Sequence, residues 1–142
     1  MKSQIAFIEN VSCGLKNLES VKQWLIAVVE NERKSIGVLT YVFMSDDDLL
    51  EYNKQYLSHD FYTDVITFDE SEFPVINGDI LISIDRIKDN SNALQTGVLE
   101  ETLRVIVHGV LHLCGYKDKT EIEETEMRAK EEYYLKNTNL IS

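Results

Sequence analysis

The segment LEETLRVIVHGVLHLC, Leu99 to Cys114, constrains the fold of this chain more than any other. Its apolar residues recur at helical spacing, and Gly115 follows in the position where a helix often ends on a left-handed residue. A helix this apolar belongs in the interior, so the rest of the chain must supply the layers that cover it. It also carries His108 and His112, two of the three histidines in the sequence.

The covering elements can be read in order. Ile5 to Ile8 is a short strand. Leu18 to Arg33 is a helix, with its apolar stripe at Leu18, Val21, Trp24, Leu25 and Val28. Ile36 to Met44 is rich in β-branched and aromatic residues and reads as a buried strand. Ser45 can cap the next helix, whose first turn holds three aspartates and which runs to about Leu57. Val65 to Phe68 and Asp79 to Ile84 read as strands, with Asn77-Gly78 as the turn before the second. Ser83 to Gln95 passes from strand end into a helix that stops near Gly97, and Thr120 with Glu123 forms a capping box for a last helix. The expected fold is α+β: a small mixed sheet of about four strands packed with about five helices, as one domain over residues 1–142.

On a helix each residue advances about 100°, which puts His108 and His112 about 40° apart on one face. Both imidazoles can then meet one metal ion. Gly115 ends the helix, and Asp118 in the following loop can return as a third ligand. Two imidazoles and a carboxylate leave a coordination position open, the pattern of catalytic zinc. Zn²⁺ suits the set best, although nickel, copper and iron accept the same ligands. Cys114 lies about 200° round the helix from His112, a core position. Zinc peptidases of the HExxH kind place a glutamate after the first histidine as general base; here that residue is Gly109, which points to a different reaction.

Composition sets the limits. The 142 residues are 44% hydrophobic and 27% charged, ordinary for a globular protein. No run is long enough to span a bilayer, MKSQIAFIEN lacks a signal peptide's apolar core, and the two cysteines give no disulfide framework; a cytoplasmic location is expected. The formal charge of −11 removes the basic surface usual in nucleic-acid binders, so any RNA contact must be local.

HGVLHLCGYKD, residues 108–118, resembles the HGxLHLxGYDH pattern of the YbeY family of metal-dependent endoribonucleases. Thr63 to Phe68 (TDVITF) resembles that family's TDVLSF, Gly78-Asp79-Ile80 its GDI, and Tyr52-Asn53 to Tyr56 its LNxxY. Glu126-Met127 with Glu131 resembles its acidic end. Two positions depart. Asp118 stands for the family's third histidine, with Lys117 before it, and Leu57 stands for the family's arginine, whose role is to touch RNA or to assist cleavage. The resemblance implies a mixed sheet surrounded by helices and cleavage of single-stranded RNA. It also implies a part in 3′-end maturation of small-subunit rRNA and in ribosome quality control, with ribosomal proteins as partners and no membrane.

The expected site is then one Zn²⁺ per chain on His108, His112 and Asp118, with Arg104 one turn before His108 contacting phosphate or supporting a ligand. Lys54, His59 and Lys117 are candidate RNA contacts in place of the missing arginine. A metallopeptidase-like hydrolase and a non-catalytic ribosome assembly factor with a structural metal are the alternative readings.

Overall fold

A computed structural model describes residues 3–141. Its elements are β1 (Gln4–Glu9), α1 (Leu18–Asn31), β2 (Ser35–Met44), α2 (Asp46–Leu57), β3 (Val65–Asp69), β4 (Val75–Ser83), α3 (Ile84–Leu94), α4 (Val98–Leu113) and α5 (Glu121–Lys136). The sheet order is β1-β2-β4-β3; β1, β2 and β4 run parallel and β3 is antiparallel to β4. This is the α+β arrangement expected: a four-stranded mixed sheet with five helices.

The apolar segment occupies the centre. Helix α4 packs against α1, α3, α5, β3 and β4, and Leu103, Ile106, Val107, Val110, Leu111 and Leu113 have no exposed surface. Gly109 faces the sheet, where an added Cβ would stand 2.7 Å from Ile80 Cδ1. Only a residue without a side chain lets the helix axis come this near β4. On the opposite face, α2 covers a smaller cluster of Met44, Leu49, Ile66 and Leu81. The buried Tyr41 hydroxyl of β2 donates to the Ile106 carbonyl at 2.6 Å, tying the sheet to α4.

The caps follow the local sequence. Ser45 accepts from the Asp48 amide, and Thr120 with Glu123 completes a capping box. Gly115 adopts φ 114°, with its amide donating to the His112 carbonyl and the Tyr116 amide to that of Leu111. These are the two hydrogen bonds of a Schellman motif, so the chain leaves α4 by a fixed turn.

Two expectations are corrected. Asn77-Gly78 is no turn: it lies inside β4, which begins at Val75, and the connection from β3 spans residues 70–74. The Asn77 side chain instead accepts from the Val38 amide at 2.8 Å, filling the irregularity where β2 shifts register between Ile36 and Leu39. Gly97 does not stop α3. That helix ends at Leu94 on a left-handed Gln95, and Gly97 is the first flanking residue of α4. Among the described residues no helix is long and apolar enough to cross a membrane.

Candidate active site

Three segments converge beside the middle of α4. The loop after Gly115 brings in Asp118, α5 runs back alongside to present Glu131, and the start of β3 supplies Thr63 and Asp64. Together with Glu101, Arg104 and His108 of α4 they line a cleft of about 640 Å³.

His108 is held at both ring nitrogens. Nδ1 lies 2.7 Å from Glu131 Oε2, and Nε2 faces Asp118 Oδ2 at 3.3 Å. Glu131 is buried, so the first contact fixes the ring and, in the neutral imidazole, puts the proton on Nδ1. The Nε2 lone pair would then point at the Asp118 carboxylate, an arrangement that needs a cation between them or a proton on the ring. Burial opposes charge on His108, but the Glu131 hydrogen bond and the negative charges of Glu131, Asp118 and Asp64 outweigh it, raising the pKa. The carboxyl of Asp64 is pushed up by burial, against the pull of His108.

Donor chemistry and spacing suit a divalent ion between His108 and Asp118. With metal–ligand bonds of about 2.0–2.1 Å, two ligands of a tetrahedral zinc ion are about 3.3 Å apart. The third expected donor is not gathered in. His112 is half-buried one turn further along α4, is not part of the cleft lining, and its side chain makes no hydrogen bond or ion pair among the described residues. No three His, Cys, Asp or Glu side chains among the described residues form a set that would hold a metal.

Arg104 faces the same cleft, but carboxylates already surround it: Glu132 at 2.5 Å, Glu101 at 3.4 Å, Glu131 at 3.6 Å and Glu100 at 4.0 Å. Of the two roles expected for it, phosphate contact is the one this environment disfavours. It neutralises Glu131, which in turn orients His108. The other sequence candidates lie outside the cleft lining. Lys54 is paired with Glu51 and Asp60, each at 3.7 Å. His59 is exposed and stacks on Phe61, and Lys117 is exposed beside Asp118. Leu57 is 43% exposed at the end of α2 and is no core residue. Cys114 is buried, its thiol pushed up to about 11 mainly by that burial, which agrees with the core position read for it.

Glu131, Glu101 and Asp64 were not among the sequence candidates for the site. Glu131 carried a local signal, since it falls on the face of α5 that also buries Met127, Tyr134 and Leu135, where an acid is out of place without a partner. The cleft is acidic overall, with five carboxylates among its lining residues against Arg104, Arg128 and His108.

A family profile described as Endoribonuclease YbeY matches residues 8–139. A protein of that name from Cytophaga hutchinsonii is 47% identical over 138 residues, covering 95% of this chain and 96% of its own. One from Flavobacterium psychrophilum is 45% identical over 132 residues, 93% of this chain and 94% of its own. The solution structure of a Thermotoga maritima protein superposes with a TM-score of 0.70 at 29% identity, covering 95% of this chain and 87% of that one.

Proposed function

The chain belongs to the YbeY endoribonuclease family, and from that premise we propose that it hydrolyses phosphodiester bonds of single-stranded RNA with the help of a divalent metal ion. The observation that carries the reading is His108, fixed through Nδ1 by Glu131 and turned through Nε2 toward Asp118 at the wall of an open cleft. The ion, Zn²⁺ by donor type, would be held by His108 and Asp118, and His112, which lies outside the cleft lining, would have to turn toward them to serve as third ligand. Bound there, it supplies positive charge for a scissile phosphate and acidifies water.

The protein's own groups make sense of that requirement. Five carboxylates against two arginines give the cleft a negative balance that would repel a polyanion unless a cation offsets it. Glu131 orients the His108 ring, and Arg104 lies 3.6 Å from its other carboxylate oxygen. Asp64 stands at the cleft wall, its carboxyl pKa raised by burial against the pull of His108. A peptidase reading has no support here. The glutamate such enzymes use would replace Gly109, which is pressed against Ile80.

The physiological substrate in this reading is small-subunit rRNA near its 3′ end, met in the cytoplasm on maturing ribosomal particles together with ribosomal proteins. The test is substrate discrimination. Purified protein should cut an unstructured RNA oligonucleotide, should leave the same sequence in a duplex and an unstructured peptide intact, and should stop when a chelator is added. Peptide cleavage without RNA cleavage would overturn it.

A further inference from the structure

An acidic protein that acts on a polyanion needs somewhere for the strand to lie. Arg33 and Lys34 connect α1 to β2, and Lys117 follows the Schellman turn of α4; none of the three makes an ion pair among the described residues. Phe73 joins them. It stands in the β3–β4 connection and is 60% exposed, with Lys34 Nζ 5.0 Å from its ring centroid. Its ring edge also rests on Gly115, where an added methyl group would sit 3.8 Å from Cζ.

Several contacts hold this surface together. The Ser35 amide donates to the Pro74 carbonyl at 2.9 Å, fixing the start of β2 to the turn that carries Phe73. Lys34 lies near enough to the end of α4 to counter part of the rise in the Cys114 pKa. Glu32, just before Arg33 in the chain, is already engaged by Tyr116, Tyr134 and Lys130. Glu72, next to Phe73 in sequence, makes no ion pair with Lys34. Lys34, without an ion pair among the described residues, therefore stands over an open aromatic ring that packs on Gly115, and Lys117 follows two residues later, next to Asp118 in the chain.

We infer that Phe73, Lys34 and Lys117, with Arg33 beside them, form a subsite for single-stranded RNA that leads into the cleft. This rests on the ribonuclease reading above and names where its substrate lies. The Phe73 ring, with Lys34 on one face, offers its open surface to an unpaired base, while the lysines take phosphates. Stacking on a single ring requires a base free of its complement, so the surface selects single strands over duplex. It also replaces the basic residue that Leu57 does not supply.

The test uses a fluorescent 2′-O-methyl oligouridine of about 12 nucleotides, with binding followed by anisotropy at several salt concentrations. Phe73→Ala should weaken binding about tenfold with the salt slope unchanged, and Phe73→Trp should restore it. Lys34→Gln and Lys117→Gln should each flatten the slope of log affinity against log salt by about 0.7. Tyr56→Ala, on the exposed aromatic surface of α2, should change neither. Unaltered affinity and slope in the folded Phe73 and lysine variants would overturn the subsite, and unaltered kcat/KM in those variants would do so while leaving the ribonuclease reading intact. Loss of RNA affinity in these variants, in a protein that never cleaves RNA, would overturn the ribonuclease reading and keep the surface.

Discussion

The loop between α4 and α5 has two contrasting sides. Toward α5 and β3 it presents Asp118 to a concave, mainly acidic cleft in which His108, Glu131 and Arg104 are interlocked. Toward the start of β2 it presents Gly115 to the exposed Phe73 ring, over which Lys34 stands. The first side suits a small cation; the second suits the polyanion that the net charge of −11 would otherwise repel. Between them Glu32 accepts from the Tyr116 hydroxyl at 2.7 Å, from Lys130 at 3.2 Å and from the Tyr134 hydroxyl, and so clamps the loop to α1 and α5. The contrast shows how an acidic chain can use both signs of charge at one site, by keeping them on opposite sides of a rigid turn.

The strongest way to break the contrast is to remove the charge buried on its inner side. Glu131→Ala leaves His108 Nδ1 without its acceptor and Arg104 short of a buried partner, and should destabilise the fold by about 3 kcal/mol in a denaturant titration. Glu131→Gln, which keeps an acceptor, should cost less. Next comes the clamp. Glu32→Ala should cost about 2 kcal/mol, because two hydroxyls and an ammonium lose one shared acceptor.

The clamp and the cleft should also respond oppositely to pH. Burial would raise the Glu32 pKa, but hydrogen bonds from Tyr134, Tyr116 and Lys130 prevail and lower it. Its contribution is therefore complete above the unfolded carboxylate value of about 4.3 and is lost as pH falls through the lower folded value. The His108 pKa is raised, so in metal-free protein its contribution is complete below about 6.5 and is lost as pH rises through the higher folded value. Melting temperatures of wild type, Glu32→Gln and His108→Gln across pH 3 to 9 separate the two. Parallel curves for wild type and His108→Gln above neutrality would contradict the assignment for the histidine.

The smallest effect is expected away from the loop. Leu57 is 43% exposed, so Leu57→Arg should change stability by less than about 0.5 kcal/mol. On a segment rich in carboxylates it should add little to RNA affinity. A large gain there would move the strand from the Phe73 side to α2.

Where a signal is local, the sequence carries it: the apolar α4, its Gly115 exit and the capping box at Thr120 can all be read from neighbours a few residues apart. What escapes are features that depend on distant partners. Asn77-Gly78 has turn chemistry, yet Asn77 is recruited by the Val38 amide of another strand and stays inside β4. Arg104 reads as a phosphate contact, a support for a ligand or a partner in a helix-surface salt bridge, and only the return of α5 shows Glu131 and Glu132 on it. Likewise Lys34 and Phe73 are far apart in the chain and meet through the β2–β4 pairing. His112 shows a limit of another kind, because helical spacing puts it on the right face without bringing it into the cleft lining.

The central claim is that the acidic side of the loop collects one divalent ion and that RNA cleavage depends on it. The direct measurement is a zinc titration of metal-free protein with cleavage of a single-stranded RNA followed at each addition, for wild type and Asp118→Ala. The account predicts no cleavage without metal, a rise that levels off at one equivalent per chain, and little recovery in the variant. Full cleavage by the metal-free protein, or a wild-type titration curve from Asp118→Ala, would contradict it.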